Sequence, residues 1–187
     1  MKVDLSGFKG FVASDSGTVS YDKPSDIETI LHSAHIRFIP SKNDNKIIVK
    51  YWGNNPFQSM ESMFEGCKVT FDKNMELPNL DFCANVKNIF RNSVIVNQEH
   101  LLKWDTGSVI DFTGAFEGSD LNDIDLRWKT HNAKCMSGMF RNNIKFNGDL
   151  QWNVSAVEDV SGMFEGATSF NRNISKWDLK SCKKMDS

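Results

Sequence analysis

Residues 160–167 read Val160-Ser161-Gly162-Met163-Phe164-Glu165-Gly166-Ala167, and the centre of this phrase recurs four times earlier in the chain. The earlier versions are Met63-Phe64-Glu65-Gly66, Ile89-Phe90-Arg91-Asn92, Ala115-Phe116-Glu117-Gly118 and Met139-Phe140-Arg141-Asn142. The Phe markers lie 26, 26, 24 and 24 residues apart, and Trp104, Trp128, Trp152 and Trp177 keep step at 24, 24 and 25. Two independent markers on one beat define a repeat architecture, in which no unit buries its apolar face alone and stacking supplies the core.

Working outward from each Phe, apolar residues step by three and then by one, as in Val157, Val160, Met163, Phe164. The same columns hold Phe57, Met60, Met63; Cys83, Val86, Ile89; Val109, Phe112, Ala115; and Ala133, Met136, Met139. This spacing predicts one face of a short helix per unit. Ser155 with Glu158 reads as a capping box, Asn55 before Pro56 as a helix start, and Asp81, Ser108 and Asn132 as N-caps. Two residues after each Phe stands Gly66, Asn92, Gly118, Asn142 or Gly166, the residue types that enter the left-handed conformation most cheaply. This column is the expected helix C-cap. Beyond it the period becomes two: Ile124, Leu126, Trp128 alternate with Asp125 and Arg127, and Leu150, Trp152, Val154 with Gln151 and Asn153, which predicts short half-buried strands.

The resulting expectation is an α/β repeat, a leucine-rich-repeat-like right-handed solenoid with one short helix and one short parallel strand per unit. It occupies residues 56–187, about five repeats ending in a partial unit. Residues 1–55 lie outside the repeat and are expected to form an N-terminal α+β cap, because an exposed repeat end needs a cover. Within it, Ser25-Asp26-Ile27-Glu28 predicts a helix through about His32. Ile36–Ile39 and Lys46–Trp52 predict strands around a turn at Asn43-Asp44-Asn45.

Composition narrows the function. In 187 residues, 22 Lys and Arg stand against 24 Asp and Glu, a net charge of -2 that gives no bulk attraction for phosphate backbones or anionic lipid. No nucleic acid and no membrane insertion are expected: the uncharged stretches are too short to span, and the opening Met1-Lys2-Val3-Asp4 lacks the apolar run of a signal peptide. Four cysteines without paired spacing suit a reducing compartment, so a cytoplasmic location is expected. Cys83 and Cys182 occupy apolar columns, Cys67 a small-residue column with Ser93, Ser119 and Ala167, and Cys135 a column otherwise polar.

His131 and Cys135 have helical ligand spacing, but two potential ligands do not make a zinc site. No metal and no cofactor is expected. None of the four histidines sits beside a nucleophile motif, and no phosphate-cradling Gly loop or His-Glu-x-x-His is present. A non-enzymatic role is expected. The residues after each Phe, Glu65, Arg91, Glu117, Arg141 and Glu165, alternate in sign, which predicts a charge ladder between stacked units on a helical side. The Trp column reads as core. The intervening Asp125, Arg127, Lys129, Gln151, Asn153 and Lys176 then face outward and are the candidate binding residues.

The phrase at 160–167, followed by Ser169-Phe170-Asn171 and Ile174-Ser175-Lys176-Trp177-Asp178, resembles the BspA-like bacterial surface-protein repeat. The unit from 132 to 155 resembles it as well, in Met136-Ser137-Gly138-Met139-Phe140, Phe146-Asn147-Gly148-Asp149 and Trp152. That family occurs in bacterial surface proteins and mycoplasma lipoproteins, with relatives in phages. The resemblance covers roughly residues 56–187 and implies a leucine-rich-repeat-like solenoid with roles in adhesion or protein binding, and no catalytic residues. The functional expectation is therefore a protein–protein interaction module, such as a phage or bacterial factor that binds a host protein. The alternative is a surface or virion adhesin or a structural repeat protein.

Overall fold

The computed structural model describes residues 1–14, 17–21, 28–30, 35–54 and 56–186. Among the described residues, six strands form one sheet: β1 (Lys2–Ser14), β2 (Gly17–Tyr21), β3 (Glu28–Ile30), β4 (Ile36–Tyr51), β5 (Lys68–Phe71) and β6 (Val94–Val96). The order is β2-β1-β4-β5-β6, with β3 also on β1. β1 is antiparallel to β2, β3 and β4, whereas β4, β5 and β6 run parallel. Ile47 pairs with Val69, and Val69 with Ile95, so the N-terminal sheet continues directly into the first two repeats.

The repeats stack in register. Single-residue parallel bridges join Ser59, Asn85, Asp111, Cys135, Asp159 and Lys184 in succession. The Phe rings form a column at nearly constant spacing: Phe64–Phe90 5.6 Å, Phe90–Phe116 5.6 Å, Phe116–Phe140 5.7 Å and Phe140–Phe164 5.6 Å, with planes within 12° of parallel. Phe38 of β4 extends the column below, 5.7 Å from Phe64. The Met, Ile and Val columns are buried around it.

The expected helix-plus-strand, leucine-rich-repeat-like solenoid is not what these coils are. Among the described residues the helical segment is a six-residue 3₁₀ stretch, Gln98–Lys103, which lies outside the predicted helix columns. Residues 136–143 show what replaces the helix. The Met139, Arg141 and Asn143 amides donate to the carbonyls of Met136, Gly138 and Phe140, three successive turns at 3.0–3.2 Å. The amides between them, of Gly138, Phe140 and Asn142, donate instead to Ser161, Met163 and Glu165 of the next coil at 2.7–2.9 Å. Half the amides thus leave the segment, whereas a helix would keep its bonds within itself.

The sequence cause is a second left-handed column. Ser62, Asn88, Gly114, Gly138 and Gly162 have φ between 52° and 61°, four residues before the Gly/Asn column, whose φ lies between 54° and 72°. Turns with positive φ at their third residue favour Gly or Asn there, and two such residues four apart break any helix. Gly66, Asn92, Gly118, Asn142 and Gly166 therefore serve as turn residues, and the helix C-cap role assigned to them is withdrawn.

The capping residues are redeployed too. Ser108 Oγ donates to the Asp81 carbonyl at 2.7 Å, and Asn132 Nδ2 to the Gly107 carbonyl at 2.7 Å, each reaching back one coil. Ser155 is held by Asn153 Oδ1, which accepts from its amide at 3.1 Å and its hydroxyl at 2.7 Å. The expected strands at 124–128 and 150–154 are irregular, although inward and outward residues do alternate there; the parallel strands β5 and β6 follow the Gly/Asn column of the first two units instead. Indole N–H groups tie the irregular segments together. Trp128 Nε1 donates to the Leu101 carbonyl (2.8 Å), Trp152 to Leu126 (2.7 Å) and Trp177 to Leu150 (3.1 Å).

In residues 1–55, the two strands expected around Asn43-Asp44-Asn45 are one continuous strand, β4. Of the helix expected at 25–32, residues 28–30 are strand β3, and the remainder lies outside the described residues, as does Asn55.

Candidate interaction face

The alternation that buries Leu126, Trp128, Leu150, Trp152 and Val154 forces their sequence neighbours outward. Asp125, Arg127, Lys129, Gln151, Asn153 and Lys176 are all exposed. Two consecutive grooves run between coils on this face. The first, about 370 Å³, is lined by Asp125, Arg127, Asp149 and Gln151 over Leu126 and Trp128. The second, about 420 Å³, is lined by Asp149, Gln151, Asn173 and Lys176 over Leu150, Trp152 and Trp177.

Four of the six candidate residues are thus brought together, with Gln151 shared between the grooves. Lys129 is committed to Asp105 of the preceding coil at 2.6 Å, and its hydrogen bond is the main influence holding that carboxyl below its usual range. Asn153 is committed to the turn at Ser155. Sequence reasoning missed Asp149 and Asn173, although they stand one and two repeats on from Asp125 in the same column. Asp149 is fixed by its amide, which donates to Asp125 Oδ1 at 2.8 Å, and its carboxylate accepts from Gln151 Nε2 at 2.8 Å. The face therefore carries a preset chain of acceptors flanked by the exposed Arg127 and Lys176.

The alternating charges meet between coils. Arg91 lies 3.9 Å from Glu65 and 3.3 Å from Glu117, and Arg141 lies 2.8 Å from Glu165. They stand on turns, since no helical side exists to carry them. Arg37 of β4 adds a rung at 3.1 Å from Glu65. A second line went unread in the sequence: Glu158 sits 3.5 Å from Lys134 and 2.6 Å from Lys183, whose hydrogen bond is the foremost cause keeping the Glu158 carboxyl below its ordinary range.

The polar column around Cys135 also has a use. Asn85, Asp111 and Asp159 each accept, through Oδ1, the amide two residues on at 2.8–2.9 Å, closing Asx turns. Burial pushes the Cys67 thiol up to about 12 and the Cys83 thiol to about 11, far from the thiolate range of reactive cysteines. Among the described residues, no three His, Cys, Asp or Glu side chains converge on a point that would hold a metal ion. Within the same residues no helix is long and apolar enough to cross a membrane.

Stacked, near-identical coils with a polar grooved side define a repeat protein. The chain belongs to the family described as Mycoplasma protein of unknown function, DUF285, whose model matches residues 58–150 and again 84–187. No curated protein and no solved structure matches it.

Proposed function

We propose that this chain is a non-enzymatic protein–protein interaction module that binds an extended polar segment of a partner along the grooves at Asp125, Arg127, Asp149, Gln151, Asn173 and Lys176. The observation that carries this reading is the recurrence of one groove, with acceptors and a flanking cation in the same columns, on successive coils. A polypeptide lying along the coil axis would meet the same chemistry at each step, which is how repeat arrays gain specificity from a shallow surface. Family membership agrees with an interaction role, and the likeness of the repeat phrases to the BspA-like surface repeat supports a partner on the host side. Residues 1–55 act as the cover of the first coil. The four cysteines, none in a disulfide, favour a cytoplasmic setting. The surface-adhesin alternative draws on the BspA-like likeness and predicts protease accessibility on intact cells.

The test is affinity capture from Mycoplasma and host-cell lysates with the wild-type chain and with the Asp125→Ala/Arg127→Ala/Gln151→Ala/Lys176→Ala variant. These side chains are exposed, so the variant should stay folded, with the melting temperature lowered only by loss of the Asp125 acceptor for the Asp149 amide. A protein captured by the wild type and lost with the variant supports the proposal. An identical captured set from both overturns it.

A further inference from the structure

Two exposed turns carry a chemistry that the other turns of the repeat lack. In the first, Asn153-Val154-Ser155, Asn153 Oδ1 accepts from the Ser155 amide at 3.1 Å and from its hydroxyl at 2.7 Å. In the second, Asn173-Ile174-Ser175, Asn173 Oδ1 accepts from the Ser175 amide at 2.9 Å. Both are Asn-x-Ser triplets, and the sequence holds no other Asn-x-Ser or Asn-x-Thr. Asn153, Ser155, Asn173 and Ser175 are all exposed. Among the described residues, neither asparagine Nδ2 meets a hydrogen-bond acceptor. The first turn is also fixed by its neighbours: the Asn153 carbonyl accepts from the Thr130 hydroxyl at 2.9 Å, the Ser155 carbonyl accepts from the Ser181 hydroxyl at 2.7 Å, and Val154 between them is buried. Asn79 and Asn85 close the same kind of turn on the amides of Asp81 and Lys87. They have no hydroxyl two residues on, and Asn85 commits its Nδ2 to Glu61 at 2.9 Å.

We propose that Asn153 and Asn173 are acceptor sites for N-linked sugar, transferred from a donor whose anomeric carbon is activated by a phosphate group. A carboxamide nitrogen is a weak nucleophile because its lone pair is delocalised into the carbonyl. Hydrogen bonds donated to Oδ1 stabilise the negative charge that builds there as Nδ2 gives up a proton, so each turn favours the form of the amide that attacks. In the transfer the bond between Nδ2 and the anomeric carbon forms as the bond from that carbon to the phosphate oxygen breaks. The phosphate leaves with the electron pair, and the Nδ2 proton passes to a base of the transferase. The serine two residues on offers the enzyme a second polar group at a set place relative to Nδ2. Asn173 stands in the second groove beside Lys176, so a sugar there would narrow that groove. The assignment of the two acceptors does not depend on what the grooves bind.

The test is peptide mapping by mass spectrometry of the full chain purified from the cells that make it. The peptides bearing Asn153 and Asn173 should each carry sugar mass, and those bearing Asn79 and Asn85 should carry none. A single hexose on the acceptors identifies a nucleotide-linked donor, and a preassembled oligosaccharide identifies a lipid-linked one; either supports the proposal. Ser155→Ala should remove the sugar from Asn153 and leave Asn173 modified, and Ser155→Thr, which keeps a hydroxyl, should retain it. Ser175→Ala should do the reverse. Both serines are exposed, so these variants should stay folded, which a thermal melt checks. Unmodified Asn153 and Asn173 in fully mapped chain overturn the proposal. So does sugar that persists on Asn153 in Ser155→Ala, or modification of Asn79 and Asn85 to the same extent.

Discussion

The two ends of the repeat array are held together by different bonds. At the first two coils, β4, β5 and β6 share a parallel backbone ladder, and the sheet runs on through β1. From the third coil onward that ladder gives way. Side chains take over its work: indole N–H groups on carbonyls one coil back, Ser108 and Asn132 on others, and Thr106 and Thr130 hydroxyls on the carbonyls of Lys129 and Asn153 at 3.0 and 2.9 Å. The turns and the Phe column are common to both ends. A repeat therefore does not need strands to stack in register, provided the same side chain recurs at the same place to satisfy the carbonyl that a strand would have satisfied.

The comparison can be broken at the shared element. Phe116→Ala empties a fully buried site between two stacked rings and should lower stability by about 3–5 kcal/mol in chemical denaturation. A loss below about 1 kcal/mol would mean that the ring column does not hold the coils together.

The next largest effect separates the ends. Trp152→Phe keeps an aromatic ring but strands the Leu126 carbonyl, and should cost about 1–3 kcal/mol. Hydrogen exchange should accelerate in the third to fifth coils while β4–β5 stays protected. Uniform acceleration would show that the strand-free end is not held by its side chains.

Glycine substitutions sharpen the view of the turns. At Gly66 a methyl group meets only the Pro40 ring at 3.7 Å, so Gly66→Ala should cost about 1–2 kcal/mol from backbone strain alone. At Gly118 the methyl would collide with Asn92 Oδ1 as well, so Gly118→Ala should cost more. Adding Asn92→Gly should recover the difference. Equal thermal shifts for the two single variants would refute this account of why Gly and Asn alternate along the column.

Acid tests the sheet-bonded end. Trp104, the first of the Trp column, donates its indole N–H to His100 Nδ1 at 3.1 Å, whereas the later indoles use carbonyls. Burial, foremost, lowers the His100 pKa from its usual value of 6.5. The folded state therefore binds fewer protons than the unfolded chain once pH drops below about 6.5. His100 leaves stability unchanged above that pH and erodes it as pH falls below. In His100→Gln the decline between pH 6.5 and 5 should be shallower; an identical slope would remove His100 from the account.

The smallest effect concerns the charges between coils. Arg141→Glu places like charges beside Glu165 and should lower stability by about 0.2–1 kcal/mol more than Arg141→Gln does, with the gap closing at high salt. If the two variants melt together at low salt, the alternation has no energetic role in stacking.

Much of this was legible in the chain. The five Phe and four Trp markers gave the unit length, and the alternation around Trp128 and Trp152 separated buried from exposed residues. The Glu/Arg alternation gave the inter-coil pairs. The helix was a misreading with a definite cause: apolar residues at steps of three suit one face of a helix and equally suit consecutive three-residue turns. The column that distinguishes them, Ser62, Asn88, Gly114, Gly138 and Gly162, was in plain view. Its first two members are not glycine, which hid its constancy.

Composition and spacing by themselves determined that the chain is a stack of 24–26-residue units with aromatic interiors, because periodic apolar residues can be buried only by periodic neighbours. What the tertiary structure alone decided is where each backbone amide goes. A local pattern constrains which side chain points inward; whether an N–H bonds four residues back or across to the next coil depends on a carbonyl some 25 residues away, and only folding puts it within reach.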